Sequence, residues 1–143
     1  MEDFKYCIWF KPEKEHEWNK YTNEFPIHMT IKSKLLKSSL KDFNNIIFLN
    51  KKLKVKLVGN LYQTNLNNFY SLQYNIVPIN NEIPTWWPFN AHISFKYQYS
   101  KEFNDNEIKE LDNIIKTKEG LLDTISVYKC TGHFSKWKKY IYT

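Results

Sequence analysis

The chain has 143 residues, of which 42% are hydrophobic and 17% aromatic, and its 21 basic residues, all lysine, exceed the 15 acidic ones to give a formal net charge of +6. This length and composition predict one domain over residues 1–143 with a substantial core. The positive charge favours polyanionic partners such as nucleotides or RNA, and the three isolated glycines exclude a glycine-rich phosphate loop.

The first part of the chain predicts two strands followed by a helix. Residues 4–10 read as a strand that Pro12 ends, and residues 25–31 read as a second strand. The segment 13–23 between them is compatible with a short helix or an ordered loop. Ser33 can cap a helix whose apolar positions are Leu36, Leu40, Phe43 and Ile47.

The middle of the chain predicts a hairpin and a further strand. Residues 52–62 alternate apolar side chains with lysines, which is typical of a half-exposed strand. An asparagine-rich turn at 65–68 predicts that this strand pairs with residues 68–77. A loop rich in proline and asparagine follows at 78–88, and residues 89–99 read as the next strand.

The last third predicts a helix and two closing strands. Asn104 or Asp105 can cap a helix that ends near Gly120. Its apolar face is formed by Ile108, Leu111 and Ile115. Residues 121–131 and 134–142 read as the closing strands. Each half of the chain therefore contains a strand, a helix and a pair of strands, and this repetition indicates two similar lobes that share one cleft.

Two segments repeat a pattern of histidine, apolar residue and small hydroxyl residue. They are His28-Met29-Thr30 and His92-Ile93-Ser94, and they hold two of the four histidines. Residues two apart in a strand lie on one face, so each imidazole is expected beside a hydroxyl. Cleavage of a phosphodiester by an internal hydroxyl needs a base, an acid and donors to the non-bridging oxygens. Two imidazoles and two hydroxyls supply these groups without a metal.

These motifs, together with an opening strand that ends at Pro12, resemble the two-histidine (2H) phosphoesterases, whose two similar lobes each carry a His-x-Thr/Ser strand. The resemblance implies an α+β fold, a single domain of two pseudo-symmetric lobes with antiparallel sheets and flanking helices around a central cleft. It implies that His28 and His92 are the catalytic acid and base. It also implies that Thr30 and Ser94 bind the phosphate, with the assignment of acid and base left open.

The same resemblance implies a phosphodiesterase that uses no metal or cofactor and acts on a nucleotide or oligonucleotide. We expect 2′-5′ oligoadenylate or a cyclic dinucleotide messenger as the substrate, because compact relatives often destroy messengers of host defence. The excess of Lys, Asn, Ile, Tyr and Phe suits an AT-rich genome, such as that of a virus, a phage or a parasite. An RNA-repair enzyme acting on 2′,3′-cyclic phosphates is one alternative. A catalytically inactive, lysine-rich RNA-binding module is another, and its binding would survive loss of both histidines.

Further residues are candidates for substrate binding. Trp86 and Trp87 precede the second motif, where they could stack on a base or anchor the loop on the core. Tyr128 and Lys129 could hold a phosphate or a base, or could lie on a solvated strand face. His133 lies in a predicted turn from which it could reach the cleft.

The cysteines and the chain terminus bear on metal binding and location. Cys130-x-x-His133 has the spacing of half a zinc site, but its completion would need Cys7, His16 or a motif histidine, so we predict no metal site. Secretory features are not evident, and both cysteines are expected as free thiols. No apolar stretch is long enough for a membrane span. We expect a monomer in the cytoplasm, or in the host cytoplasm if the source is a virus.

Overall fold

A computed structural model of the protein describes residues 5–22, 24–41, 52–79 and 83–140. The strands of these residues are β1 (Tyr6–Pro12), β2 (Met29–Leu35), β3 (Leu53–Leu66), β4 (Phe69–Pro78), β5 (His92–Tyr99), β6 (Glu119–Lys129) and β7 (Lys138–Tyr140), and the α-helix is α1 (Asp105–Ile114). All pairings are antiparallel, in the order β1-β2-β5-β4-β3-β6-β7. The fold is therefore α+β, with the strands in one sheet.

An additional pairing between β1 and β6 closes six of the strands into a ring, from which β7 extends at the edge of β6. Along β1, Ile8 and Phe10 point into the hydrophobic core, where Met29 of β2 and Ile93 of β5 are fully buried. The residues that alternate with them therefore lie on the opposite face of the sheet. None of the helices in the described ranges is long and apolar enough to cross a membrane.

Local sequence signals determined two elements correctly. The hairpin between β3 and β4 turns at Asn67 and Asn68, whose φ angles of 50° and 65° are in the left-handed region that asparagine tolerates. Helix α1 begins with a capping box in which Asn104 and Glu107 each accept a hydrogen bond from the other's backbone amide. The two predictions are confirmed.

The predicted end of that helix near Gly120 is wrong. Helix α1 ends at Ile114, and Gly120 belongs to β6, where it pairs with Val55 of β3. A Cβ atom at Gly120 would lie 2.6 Å from the Trp18 ring. The glycine therefore serves close packing between a strand and an aromatic side chain, and it does not end the helix.

The predicted helix start at Ser33 is also wrong, because β2 continues through it to Leu35, which pairs with Tyr6 of β1. A 3₁₀ helix follows at Lys37–Lys41. Phe43 and Ile47, the last two apolar positions of the predicted helix, lie outside the described residues. Pairing with a neighbouring strand, which a local pattern does not report, has overridden the capping signal.

Several boundaries differ from the predicted ones. The two motif strands begin at Met29 and His92, later than predicted, so each histidine lies at a strand start. The segment after β1 forms a 3₁₀ helix at Glu17–Lys20. The last predicted strand is reduced to β7, because Phe134–Lys136 forms another 3₁₀ helix. Its last two positions, 141 and 142, are outside the described residues.

Candidate functional site

The two motif strands are neighbours in the sheet. Met29 of β2 pairs with Ile93 of β5, so the residues on either side of this pair emerge together on the opposite face. The antiparallel register sets His28 against Ser94 and Thr30 against His92. The structure therefore brings together all four residues that the motifs indicate, on the face away from the core.

Both histidines are held by the same local contact. His28 Nδ1 lies 2.7 Å from the carbonyl oxygen of Pro26, and His92 Nδ1 lies 2.9 Å from that of Asn90. A carbonyl oxygen only accepts, so Nδ1 carries the proton in each ring. In the neutral imidazole the lone pair is then on Nε2, which is left to accept or return a proton.

His28 lies in a closed aromatic stack. Its ring is parallel to that of Trp9 with a centroid separation of 3.5 Å, and the other side of Trp9 stacks on Tyr128 at 3.9 Å. Only 5% of His28 is exposed. Burial lowers the pKa of His28 to about 3, the hydrogen bond to Pro26 opposes this shift, and the nearby charges of His92 and Lys11 add to it. His28 is therefore neutral at physiological pH.

His92 has a different environment, because it is half-buried at the edge of a cavity of about 730 Å³. The cavity extends over β5, β4 and β3. Asn75 of β4 pairs with His92, and Gln73 pairs with Ser94. The side chains of these residues line the cavity together with those of Ser71 and Tyr97. One motif histidine is thus sealed by aromatic rings while the other borders open space.

Ser94 is part of a hydrogen-bonded chain. Ser71 Oγ lies 2.8 Å from Ser94 Oγ and 3.0 Å from Gln73 Oε1, and all three residues are buried. A hydroxyl carries one proton, so Ser71 donates to one of these partners at a time. Tyr97 also hydrogen-bonds Ser94, and burial raises the pKa of Tyr97. Thr30, the corresponding hydroxyl on β2, is half-buried.

Sequence reasoning missed both Trp9 and the polar residues of β4. The polar residues Ser71, Gln73 and Asn75 occupy every second position of β4. The positions that alternate with them are the buried core residues Leu72, Tyr74 and Ile76. This alternation inside a predicted hairpin is the signal that could have identified a polar face. No local feature of the sequence indicates that Trp9 stacks on a histidine 19 positions away, since β1 and β2 meet only in the folded chain.

The tandem tryptophans lie away from this cavity. Trp86 and Trp87 are partly buried and pack against the hydrophobic core, with the Trp86 ring 6.1 Å from that of Phe10. Neither ring lines the cavity beside His92. Their position fits the reading in which they anchor the loop.

The other substrate-binding candidates are dispersed. Tyr128 stacks on Trp9, and its hydroxyl accepts a hydrogen bond of 3.1 Å from Lys11 Nζ. Lys129 is exposed and borders a separate hollow of about 570 Å³ with two other lysines. His133 caps a 3₁₀ helix, where its Nδ1 accepts from the amide of Ser135. Of these residues, Tyr128 alone touches the stack that holds His28.

Within the described ranges, no group of three or more His, Cys, Asp or Glu gathers to hold a metal ion, and Cys7 and Cys130 are free thiols. Neither a family model nor a curated protein matches the sequence. The chemical interpretation therefore depends on the geometry of the two histidines and their hydroxyl neighbours.

Proposed function

We propose that the protein is a metal-independent phosphodiesterase of the 2H type in which His28 and His92 are the acid–base pair. The observation that carries this proposal is the matched anchoring of the two imidazoles. Each Nδ1 is held by the carbonyl two residues earlier, on neighbouring strands of one sheet face. Rings anchored through Nδ1 carry the lone pair on Nε2, and with adjacent hydroxyls they are suited to proton transfer around a phosphate.

We interpret the ring of strands as two lobes that meet where β2 lies beside β5. One lobe contains β1 and β6, and the other contains β4 and β3. In this interpretation the four motif residues line the cleft between the lobes. The phosphate would lie over the paired positions Met29 and Ile93, within reach of both histidines.

The unequal burial of the two rings supports an assignment of their roles. A base must be neutral before reaction, and burial keeps His28 in that form. Bound phosphate would raise the basicity of His28, since a nearby opposite charge shifts a pKa by roughly 1–3 units. We therefore assign His28 as the base and His92, at the edge of the cavity, as the acid.

The reaction balances as a transesterification. A substrate ribose hydroxyl attacks phosphorus as its proton passes to His28 Nε2, the bond from phosphorus to the leaving oxygen breaks, and protonated His92 Nε2 donates to that oxygen. Thr30 and Ser94 donate to the non-bridging oxygens, where charge accumulates. The products are a cyclic phosphate and a free alcohol, and proton exchange with water restores both histidines.

For the substrate we propose a 2′-5′ oligoadenylate or a cyclic dinucleotide, with a viral source and action in the host cytoplasm. Processing of RNA 2′,3′-cyclic phosphates is the alternative. An oligoadenylate or cyclic dinucleotide carries the ribose hydroxyl that attacks its own phosphodiester. A 2′,3′-cyclic phosphate has no such free hydroxyl, so in the alternative water attacks phosphorus and gives its proton to His28 Nε2. The departing ribose oxygen takes a proton from His92, and the product is a phosphomonoester. A panel containing members of each class separates them.

The experiment is incubation with 2′-5′ oligoadenylate, cyclic dinucleotides and 2′,3′-cyclic nucleotides in the presence of EDTA, with products resolved by mass spectrometry. Wild type should cleave one class, and His28→Ala and His92→Ala should each reduce the rate by about 10²–10⁴-fold. His16→Ala is the matched control, because His16 contacts the carbonyl of Glu119, away from the motif strands. Cleavage unaffected by the two motif substitutions would contradict the proposal. Salt-sensitive RNA binding without cleavage would favour the binding module.

A further inference from the structure

The cavity beside His92 differs in charge from the rest of the protein. The chain has 21 lysines and a formal net charge of +6, yet no lysine, aspartate or glutamate of the described ranges lines this cavity. Apart from the imidazole of His92, its polar side-chain groups are amides and hydroxyls, among them those of Asn75, Gln73, Tyr62 and Thr64. A site for a polyphosphate would require cations, so this surface suits an uncharged polar ligand.

A chain of hydrogen bonds fixes the orientation of these groups. Gln73 Nε2 donates to the hydroxyl of Tyr62 at 3.0 Å, and that hydroxyl donates to Asn75 Oδ1 at 2.5 Å. Gln73 Oε1 accepts from Thr64 Oγ1 at 3.2 Å. Because the oxygen of Asn75 is held by Tyr62, the amide nitrogen with its two protons is directed to other acceptors. No described residue accepts a hydrogen bond from this nitrogen.

One end of the same cavity is aromatic. Phe69 and Tyr97 stack with ring centroids 4.9 Å apart and an interplanar angle of 28°, and both line the cavity. Aromatic faces stack on nucleobases irrespective of sequence. A cavity of a few hundred cubic ångströms with convergent polar groups and an apolar wall is typical of a small-molecule site.

We propose that this cavity binds the uncharged nucleoside part of the substrate, with the Asn75 amide donating to a base acceptor and the Phe69–Tyr97 pair contacting the base or ribose. The proposal rests on the proposed function for the position of the phosphate. Asn75 is the direct cross-strand partner of His92, so the nucleoside would lie beside the acid. Tyr62 and Gln73 are then positioning residues that hold the Asn75 amide.

The test is titration of the protein with adenosine, guanosine, cytidine and uridine, monitored by two-dimensional NMR. At least one nucleoside should bind saturably, with a Kd that stays within about twofold between 50 and 300 mM salt, because charge contributes nothing to the contact. Asn75→Asp should weaken binding about tenfold or more, since it removes the donors. Tyr62→Phe should weaken it less, because it loses only the group that orients Asn75.

Asn60→Asp is the matched control, because Asn60 is exposed on β3 outside the cavity and acquires the same charge. It should leave nucleoside affinity unchanged. Wild type that cleaves a nucleotide without binding any nucleoside up to about 10 mM would overturn this inference and leave the proposed function standing. Nucleoside binding without cleavage would support the site and reject the phosphodiesterase. Binding that falls steeply with salt would place the ligand on lysines instead.

Discussion

The two motif histidines have the same local structure and opposite surroundings. Each ring hydrogen-bonds through Nδ1 to the carbonyl two residues earlier. His28 is then covered by Trp9, which stacks on Tyr128 through its other side, whereas His92 opens onto a cavity lined by amides and hydroxyls. A repeated motif therefore sets the tautomer of each imidazole, whereas the lowered pKa of His28 comes from the burial of that ring by distant strands.

The largest expected effect distinguishes the acid from the base. We expect His92→Ala to slow cleavage of an oxygen ester by about 10²–10⁴-fold and to recover most of that loss when sulfur replaces the leaving oxygen. A thiol is far more acidic than an alcohol, so it leaves without a proton from the enzyme. His28→Ala should remain slow with both substrates. The measurement is the ratio of kcat/KM for the two esters in each variant.

Rescue of His28→Ala in place of His92→Ala would reverse the two roles without removing either histidine from the reaction. Equal rescue of both variants would contradict the distinction between a sealed base and an open acid.

Removal of the Trp9 ring that covers His28 should lower the free energy of unfolding and raise the pKa of His28. Trp9 is 1% exposed, and Trp9→Ala is expected to lower the free energy of unfolding by about 3–5 kcal/mol. Trp9→Phe, which keeps a ring beside His28, should cost less. Urea denaturation measures the stability. In the Phe variant, NMR titration of the imidazole should show the pKa of His28 moving up from about 3, because water reaches the ring.

An unchanged pKa of His28 in Trp9→Phe, with the fold retained, would show that the indole is not what excludes water from this imidazole.

The burial of His28 also predicts acid sensitivity. Its pKa is lowered by burial from 6.5 to about 3 in the folded chain, so unfolding takes up a proton between these pH values. Stability is unaffected by this group above pH 6.5 and falls, by up to about 1.4 kcal/mol per pH unit, as the pH decreases through the window. His28→Gln should show a shallower decline in urea denaturation between pH 6 and 4. Parallel curves for the two proteins would contradict the prediction.

The smallest expected effect concerns the hydroxyl chain beside His92. Ser71→Ala removes the partner of Ser94 at 2.8 Å, and we expect kcat to fall about fivefold with little change in KM, the equivalent of one hydrogen bond of about 1 kcal/mol. Ser38→Ala, on the 3₁₀ helix after β2, is a control in which the same atom is removed elsewhere. A raised KM with unchanged kcat would show that Ser71 assists binding and does not position Ser94.

The accuracy of the sequence-based predictions followed the range of the interactions that form each element. The β3–β4 hairpin and the capping box of α1 depend on neighbours within a few residues, and both were predictable. The helix start predicted at Ser33 is wrong because β2 pairs with β1 through that position. The ring closure between β1 and β6 joins residues at least 110 positions apart, as in the pair Trp9 and Ser126. No local pattern reports such a contact.

For the candidate site, the sequence by itself determined the two histidine–hydroxyl motifs and, through strand alternation, the separation of their polar side chains from Met29 and Ile93. The tertiary structure decided that these two residues pair, that Trp9 stacks between His28 and Tyr128, and that β4 places amides beside His92. The physical reason is that side-chain chemistry and alternation are local properties. Burial, and with it the pKa of His28, arises only when distant strands close around the ring.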